Sequence, residues 1–433
     1  MSFNTTNYSL YLPAVNDTYA EYLLRDVPKG RTFPSDLKVS DLAFWDRKNK
    51  LFYYPYVLHS IGQFAAGKQI DNALTRTGRT DKYLFGDSGG FQIGNGNLKG
   101  FKGLYAGMEA QDAIDVWDSA YDVKKWIVGW LDTYTNYAMT IDMPLWATRP
   151  KHTESPFHKC SYKQLTDMTV DNLKFIELHM KGQTKWLNVV QGLDEQSKQD
   201  WWDATNFFRK GGWAIGSGAG PRGGLAQMLH TFLMMKHDDA FTGGNDWLHT
   251  LGKSEMRWAI MLTTIQQCIQ KENPKFRISY DTASPFQQGG RYEVPVITPT
   301  ISKNIEDWRV REDESFLIQS HAFVGSTERF PYNSPLGNQL QLGHLNVQDY
   351  VLGKRQFDTL SNMLLINHNV WVYLDAFQRA NDAAFGTDAN KLVPDLYLRC
   401  MDIIREAFER KDWRKYITQN QQILDEFHPT EYK

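Results

Sequence analysis

Between Tyr83 and Asp281 the chain alternates short apolar runs with longer stretches whose apolar residues recur every three or four positions. The runs are Tyr83-Leu84-Phe85, Ala138-Met139-Thr140-Ile141, Trp186-Leu187-Asn188-Val189-Val190, Trp213-Ala214-Ile215 and Phe276-Arg277-Ile278-Ser279-Tyr280. They are short for helices, and their apolar character with flanking turn residues reads as buried strand. Between them Leu165, Met168, Leu173, Ile176 and Met180 keep a helical spacing, and 194–210, 224–237 and 254–272 carry the same signal. Ser254 with Glu255 starts the last of these, and Pro274 stops it. Repeated strand and helix units predict a parallel α/β sheet.

Each run ends in a polar or glycine-rich group: Gly86-Asp87-Ser88-Gly89-Gly90, Asp142-Met143-Pro144, Gln191-Gly192, Gly216-Ser217-Gly218 and Asp281-Thr282. In a TIM-type (β/α)8 barrel these groups meet at the C-terminal rim, where such barrels hold their chemistry. A doubly wound open sheet would alternate in the same way, but no GxGxxG opens a helix after the first strand. After Asp281 the alternation stops. The sequence then predicts a barrel core over 1–293, an irregular Pro-, Gly- and Asn-rich insertion over 294–356, and C-terminal helices over 357–433, with Leu364, Leu365, Trp371, Leu374 and Phe377 as their core.

Composition narrows the classes. Over 433 residues, 42% apolar and 14% aromatic content with 14 Trp supplies a large core and leaves rings for binding bases. A net charge of -2 excludes holding a nucleic acid by bulk electrostatics, so a polyanion must be gripped locally. Cys160, Cys268 and Cys400 are too dispersed for a disulfide framework or a thiolate zinc site, and fit a reducing compartment. No basic-then-apolar start and no run of about 18 apolar residues is present, so a soluble, cytoplasmic protein without membrane association is expected.

Asp87, Asp142 and Asp281 share one kind of position, the end of a strand. Glycosidic chemistry needs such a set: one carboxylate attacks the anomeric carbon, a partner acid protonates the leaving group, and a further carboxylate can read a base. Any one of them taken alone is more simply a cap or turn former. The carboxylates do not by themselves distinguish a base from a sugar as leaving group.

Phe85-Gly86-Asp87-Ser88-Gly89-Gly90-Phe91-Gln92 resembles the DSGGFQ motif of the queuine and archaeosine tRNA-guanine transglycosylases. Ile141-Asp142 is similar to that family's base-reading Asp, although Met143 and Pro144 replace the Glu and Cys that follow it there. Val189-Val190-Gln191-Gly192 resembles the VQG motif, Ala214-Ile215-Gly216-Ser217-Gly218 a degraded AIGGL, and Tyr280-Asp281-Thr282-Ala283-Ser284-Pro285 the FDCVxP nucleophile motif. Order and approximate spacing agree over roughly residues 80–292. The resemblance implies Asp281 as nucleophile and Asp87 as general acid/base, with no cofactor. It also implies a base pocket of Ser88, Phe91, Gln92, Asp142, Gln191, Gly192, Gly216, Ser217, Gly218 and Leu251. Asp142 would accept from guanine N–H groups, Gln191 and backbone N–H groups near Gly216 to Gly218 would meet the exocyclic oxygen, and Phe91 and Leu251 would stack.

The tRNA enzymes carry a CxCxxC zinc site after the nucleophile, and no Cys lies between Asp281 and Cys400 here. His368 is then read as a helix residue, no zinc is expected, and the insertion is expected to be held by packing. With neither zinc nor a C-terminal RNA-binding module, the chain resembles the DpdA-type DNA-guanine transglycosylases, several of them phage-encoded, which would place it in a host cytoplasm. The resemblance implies DNA and a free 7-deazaguanine base, such as 7-cyano-7-deazaguanine, as partners, and leaves room for a homodimer. The target guanine must be flipped out or single-stranded to reach a carboxylate at a barrel rim. Arg149, Lys151, His152, His158, Lys159 and Lys163, with Arg291, are the candidate phosphate grip, against a reading of the first cluster as a solvated loop. The alternatives are a tRNA-guanine transglycosylase, a non-catalytic nucleic-acid-binding barrel subunit, which both Asp87 and Asp281 speak against, and a barrel glycoside hydrolase, which gives Asp142, Gln191 and Phe91 no role.

Overall fold

A computed structural model describes residues 3–252, 255–318, 320–345 and 357–427. Eight strands, β1 (Leu10–Pro13), β2 (Tyr56–Ser60), β3 (Tyr83–Asp87), β4 (Tyr137–Met139), β5 (Lys185–Val190), β6 (Gly211–Ile215), β7 (Trp247–Thr250) and β8 (Arg277–Thr282), pair in parallel in the ring order β1-β8-β7-β6-β5-β4-β3-β2. A parallel bridge between Ala14 and Leu58 links the two ends, with Val15 N–H donating to Leu58 O at 2.9 Å. The fold is the expected TIM-type barrel, although β1, β2 and β7 are strands beyond the apolar runs of the sequence.

Side-chain alternation along the strands separates two layers of packing. Leu10, Leu12, Leu58, Phe85, Met139, Leu187, Val189, Ala214 and Trp247 pack together as one cluster that fills the barrel. Their neighbours Leu84, Ala138, Trp186, Trp213, Leu248, Ile278 and Tyr280 belong to the larger cluster beneath the surrounding helices. Each such enclosed side chain contributes about 1.5–3 kcal/mol. The same period carries the inner face upward from Phe85 to Asp87, from Trp247 to His249 and from Ser279 to Asp281, so the strands themselves lift polar side chains onto the floor of the rim.

Helices Tyr121–Tyr134, Tyr162–His179, Glu195–Thr205, Leu225–His237 and Met256–Gln270 follow β3 to β7. Side-chain caps fix two of their starts: Ser161 accepts from Gln164 N–H and Asp194 from Ser197 N–H. The predicted start at Ser254 lies outside the described residues, as do 346–356 of the insertion and 428–433 at the end. The first two units are reduced, with only Asp17–Tyr22 after β1 and the short turn Ala73–Arg76 after β2.

The C-terminal segment is helical as expected, broken near Gly386 and Pro394 into Thr359–Phe385, Ala389–Leu392 and Asp395–Glu409, followed by two shorter helices. The insertion packs on the first of these through rings. Phe316 contacts Phe323 and Phe330 at centroid distances of 4.8 and 5.6 Å, and Phe330 meets His368 edge-on at 5.1 Å. His368, on this helix and fully enclosed, lies 3.0 Å through Nε2 from Val296 O and 2.9 Å through Nδ1 from Ser334 Oγ. Burial pushes its imidazole down to about 4, so it sits there neutral. Among the described residues no group of three or more His, Cys, Asp or Glu side chains is placed to hold a metal ion, and no helix is long and apolar enough to cross a membrane.

Candidate active site

A cleft of about 710 Å³ opens at the C-terminal rim, between the ends of β1, β2, β3 and β8 and the start of the helix Thr359–Phe385. Among the described residues four charged ones line it, Asp87, Asp281, Arg222 and Arg291, and the helix contributes Thr359, Asn362, Met363 and Ile366.

Asp281 stands on β8, directly across the ladder from Leu12 of β1. Its side chain is 14% exposed, and Oδ1 accepts from Gly252 N–H at 3.0 Å and faces His249 Nε2 at 3.2 Å. Gly252 sits at φ +79°, a left-handed conformation that glycine adopts without strain, and this turns its N–H onto the carboxylate.

Asp87 closes β3 beside Ser60 of β2. Burial lifts its carboxyl above the ordinary range and the charge of Asp281 adds to the lift, while hydrogen bonds from Ser60 and Gly89 N–H oppose it. Gly89 holds φ +84° so tightly against β2's exit that a Cβ would fall 2.8 Å from Gly62 Cα. The first motif's glycine is therefore a requirement of the turn that aims Asp87. The site holds two carboxyls in contrasting settings, Asp281 facing Gly252 N–H and His249, and Asp87 pushed toward the protonated acid by burial and by the charge of Asp281.

Asp142 lies three residues beyond the end of β4, later than a strand-end position. A Cβ on Gly90 would be 3.4 Å from its Oδ1, so it adjoins the wall made by Asp87, Phe91 and Gln92. Burial, then the charge of Asp87, pushes it up to about 7. Gln191 donates from Nε2 to Asp142 Oδ2, and its Oε1 accepts from Leu145 N–H at 2.9 Å. In this structure the Gln191 amide thus braces Asp142 and the loop after β4.

The remaining expected residues divide. Phe91 is 63% exposed at the mouth, 5.8 Å from the Trp146 ring, which in turn meets His152 at 4.8 Å; these rings form an open apolar ledge. Gln92 and Arg291 line the cleft. Ser88 does not: it is buried and its hydroxyl donates to Thr140 O at 3.0 Å, tying β3 to the strand beside it. The Gly216 N–H expected to meet a base oxygen is instead spent in the barrel ladder on Val190 O at 3.0 Å. Gly218 packs against the Gly192 carbonyl, where a Cβ would come within 2.5 Å, and Leu251 covers Gly216 from the inner face. For Ser217 only the backbone is described, in the turn Ser217–Ala219.

The basic cluster stands apart from the cleft lining. Arg149, Lys151 and His158 lie on the segment that follows the turn Leu145–Thr148. Lys159 pairs with Glu109 at 2.5 Å and Lys163 with Asp167 at 2.7 Å, which reduces the charge this segment offers a phosphate. Arg222, unread in the sequence, lines the cleft instead, with its Nη2 3.5 Å from Gly252 O. His249 and Ser60 were equally unread; for His249 a signal existed, since period two from Trp247 places it on the inner face.

No family model matches the chain, and no curated protein does either. The case for its chemistry therefore rests on the barrel and on the geometry of this rim.

Proposed function

We propose that this protein is a base-exchanging glycosyltransferase, a DNA-guanine transglycosylase that replaces guanine by a 7-deazaguanine. The observation that carries the reading is the pair Asp87 and Asp281 in one cleft, in contrasting electrostatic settings. In the first displacement the Asp281 carboxylate attacks C1′ of the nucleotide, the bond to guanine N9 breaks with its electrons leaving on the base, and Asp87 gives the base a proton. In the second, Asp87 takes the N9 proton of the incoming 7-deazaguanine as that nitrogen attacks C1′, and the bond to Asp281 breaks. Each group ends as it began.

Asp142 supplies the acceptor for guanine's adjacent N–H donors, and the exposed Phe91 ring offers the plane on which an unstacked base rests. Arg222 and Arg291, both lining the cleft, serve the phosphates beside the reacting nucleotide. Preference for DNA over tRNA rests on the missing zinc motif.

The test is exchange of labelled guanine from a guanine-containing DNA single strand and duplex, and from tRNA, in parallel with 7-cyano-7-deazaguanine as the incoming base. Release from DNA supports the reading. Release from tRNA alone would make it a tRNA enzyme, and release from neither, by folded protein, would remove the activity.

A further inference from the structure

Among the polar side chains at the rim, His249 is fully buried and has no role in the exchange as written above. Its Nδ1 lies 2.9 Å from Ser279 Oγ and its Nε2 3.2 Å from Asp281 Oδ1. Trp247, two residues earlier on the same inner face, donates its indole N–H to that same Ser279 Oγ at 2.9 Å. An indole N–H only donates, so the serine oxygen must accept there, and its own hydrogen remains for His249 Nδ1. Were Nδ1 protonated, two donors would converge on one buried hydroxyl whose proton then had no acceptor among the described residues. Donor counting therefore selects the neutral imidazole with its proton on Nε2, pointed at Asp281. The Phe85 ring lies 6.5 Å from the imidazole, inclined 30° to it.

We propose that Trp247, Ser279 and His249 form a buried relay that makes His249 the positioning residue of Asp281 and decides which of its oxygens reacts. This rests on the reading of Asp281 as nucleophile. Both donors, His249 Nε2–H and Gly252 N–H, act on Oδ1, and Oδ2 takes no donor among the described residues. Oδ2 is thus the oxygen left to attack C1′. As the C1′–Oδ2 bond forms, Oδ1 becomes an ester carbonyl and sheds charge; as that bond breaks in the second displacement, charge returns to the carboxylate. Donors on Oδ1 therefore favour the departure of Asp281 and oppose its attack.

Two measurements test this on the intact chain. The first is long-range proton–nitrogen correlation on histidine-labelled protein at pH 7, with the His249→Gln variant identifying the signals by their loss. The pattern expected is an unprotonated Nδ1 and a protonated Nε2, disappearing in Ser279→Ala; an Nδ1–H tautomer or an imidazolium overturns the relay. The second follows single turnover. His249→Leu is expected to lower kcat by about a hundredfold, as for loss of one preorganised donor, with KM for the nucleic acid falling alongside it as the covalent adduct accumulates. His249→Gln, which restores an N–H donor, should recover most of the turnover. Parental kcat in a folded His249→Leu overturns the proposal. The nitrogen spectrum answers even if neither DNA nor tRNA exchanges, so failure of the relay and failure of the activity are read separately.

Discussion

Replacing Asp142 by asparagine removes one titrating group and keeps the shape of the protonated acid. In the folded protein this carboxyl is pushed up to about 7 by burial and by Asp87, whereas in the unfolded chain it titrates near the ordinary value of about 3.9. The folded state then holds a proton through that window that the unfolded chain has released, so the parent loses stability as pH rises from about 4 and reaches its full penalty above about 7. About three pH units at about 1.4 kcal/mol each set a ceiling of about 4 kcal/mol. The side chain is only partly enclosed, and water relaxing around the anion lowers this to about 1–2 kcal/mol. Asp142→Asn should therefore gain stability over the parent at pH 8 and gain little at pH 4.5. The relief of Asp87 from a neighbouring charge acts in the same direction. Urea unfolding of both proteins at the two pH values measures this as a difference of differences, in which groups distant from Asp142 cancel. An advantage for the variant that is equal at both pH values, or larger at pH 4.5, refutes the argument.

Three further outcomes follow from the same rim. Asp281→Asn should abolish both exchange and adduct formation on DNA, an amide being a poor nucleophile; normal turnover would take Asp281 out of the mechanism. Asp87→Asn should lower kcat by about 10²–10⁴ and flatten the fall in rate that the parent shows as pH rises through the lifted Asp87 carboxyl, so a pH profile unchanged in a still-active variant removes the acid role. Gly89→Ala places a Cβ 2.8 Å from Gly62 Cα at φ +84°, and should cost about 1–3 kcal/mol and most of the activity; parental melting and turnover would show that the turn tolerates a side chain.

What was legible in the chain follows from which forces act locally. Strands β3, β5, β6 and β8 are covered on both faces, so they read as apolar runs. β7 hides because its inner face carries Trp247 and His249, and β1 because it is four residues long and ends at Pro13. The five polar groups after the runs do converge, because parallel strands in a closed ring leave their C-terminal ends no other place. The allocation of hydrogen bonds within the rim was not legible. Ser88, Gly216 and Gln191 resemble pocket residues in sequence, yet their polar groups are used by Thr140, Val190 and Asp142, partners set by register and loop path. The Ser279 contact of His249 likewise crosses 30 residues of sequence and exists only once β7 and β8 pair.

The strand that carries Asp281 pairs with the first strand of the barrel, and one wall of the cleft is the helix beginning at Thr359. Leu12 and its ladder partner Asp281 stand at opposite ends of the barrel's sequence, so the ring closes only when both are in place. Asp87 and Asp281 come from the barrel, whereas Thr359, Asn362, Met363 and Ile366 of the facing wall come from beyond the insertion. A barrel deprived of that helix would carry the same charged rim open to water, so enclosing the cleft is a task separate from closing the ring of strands.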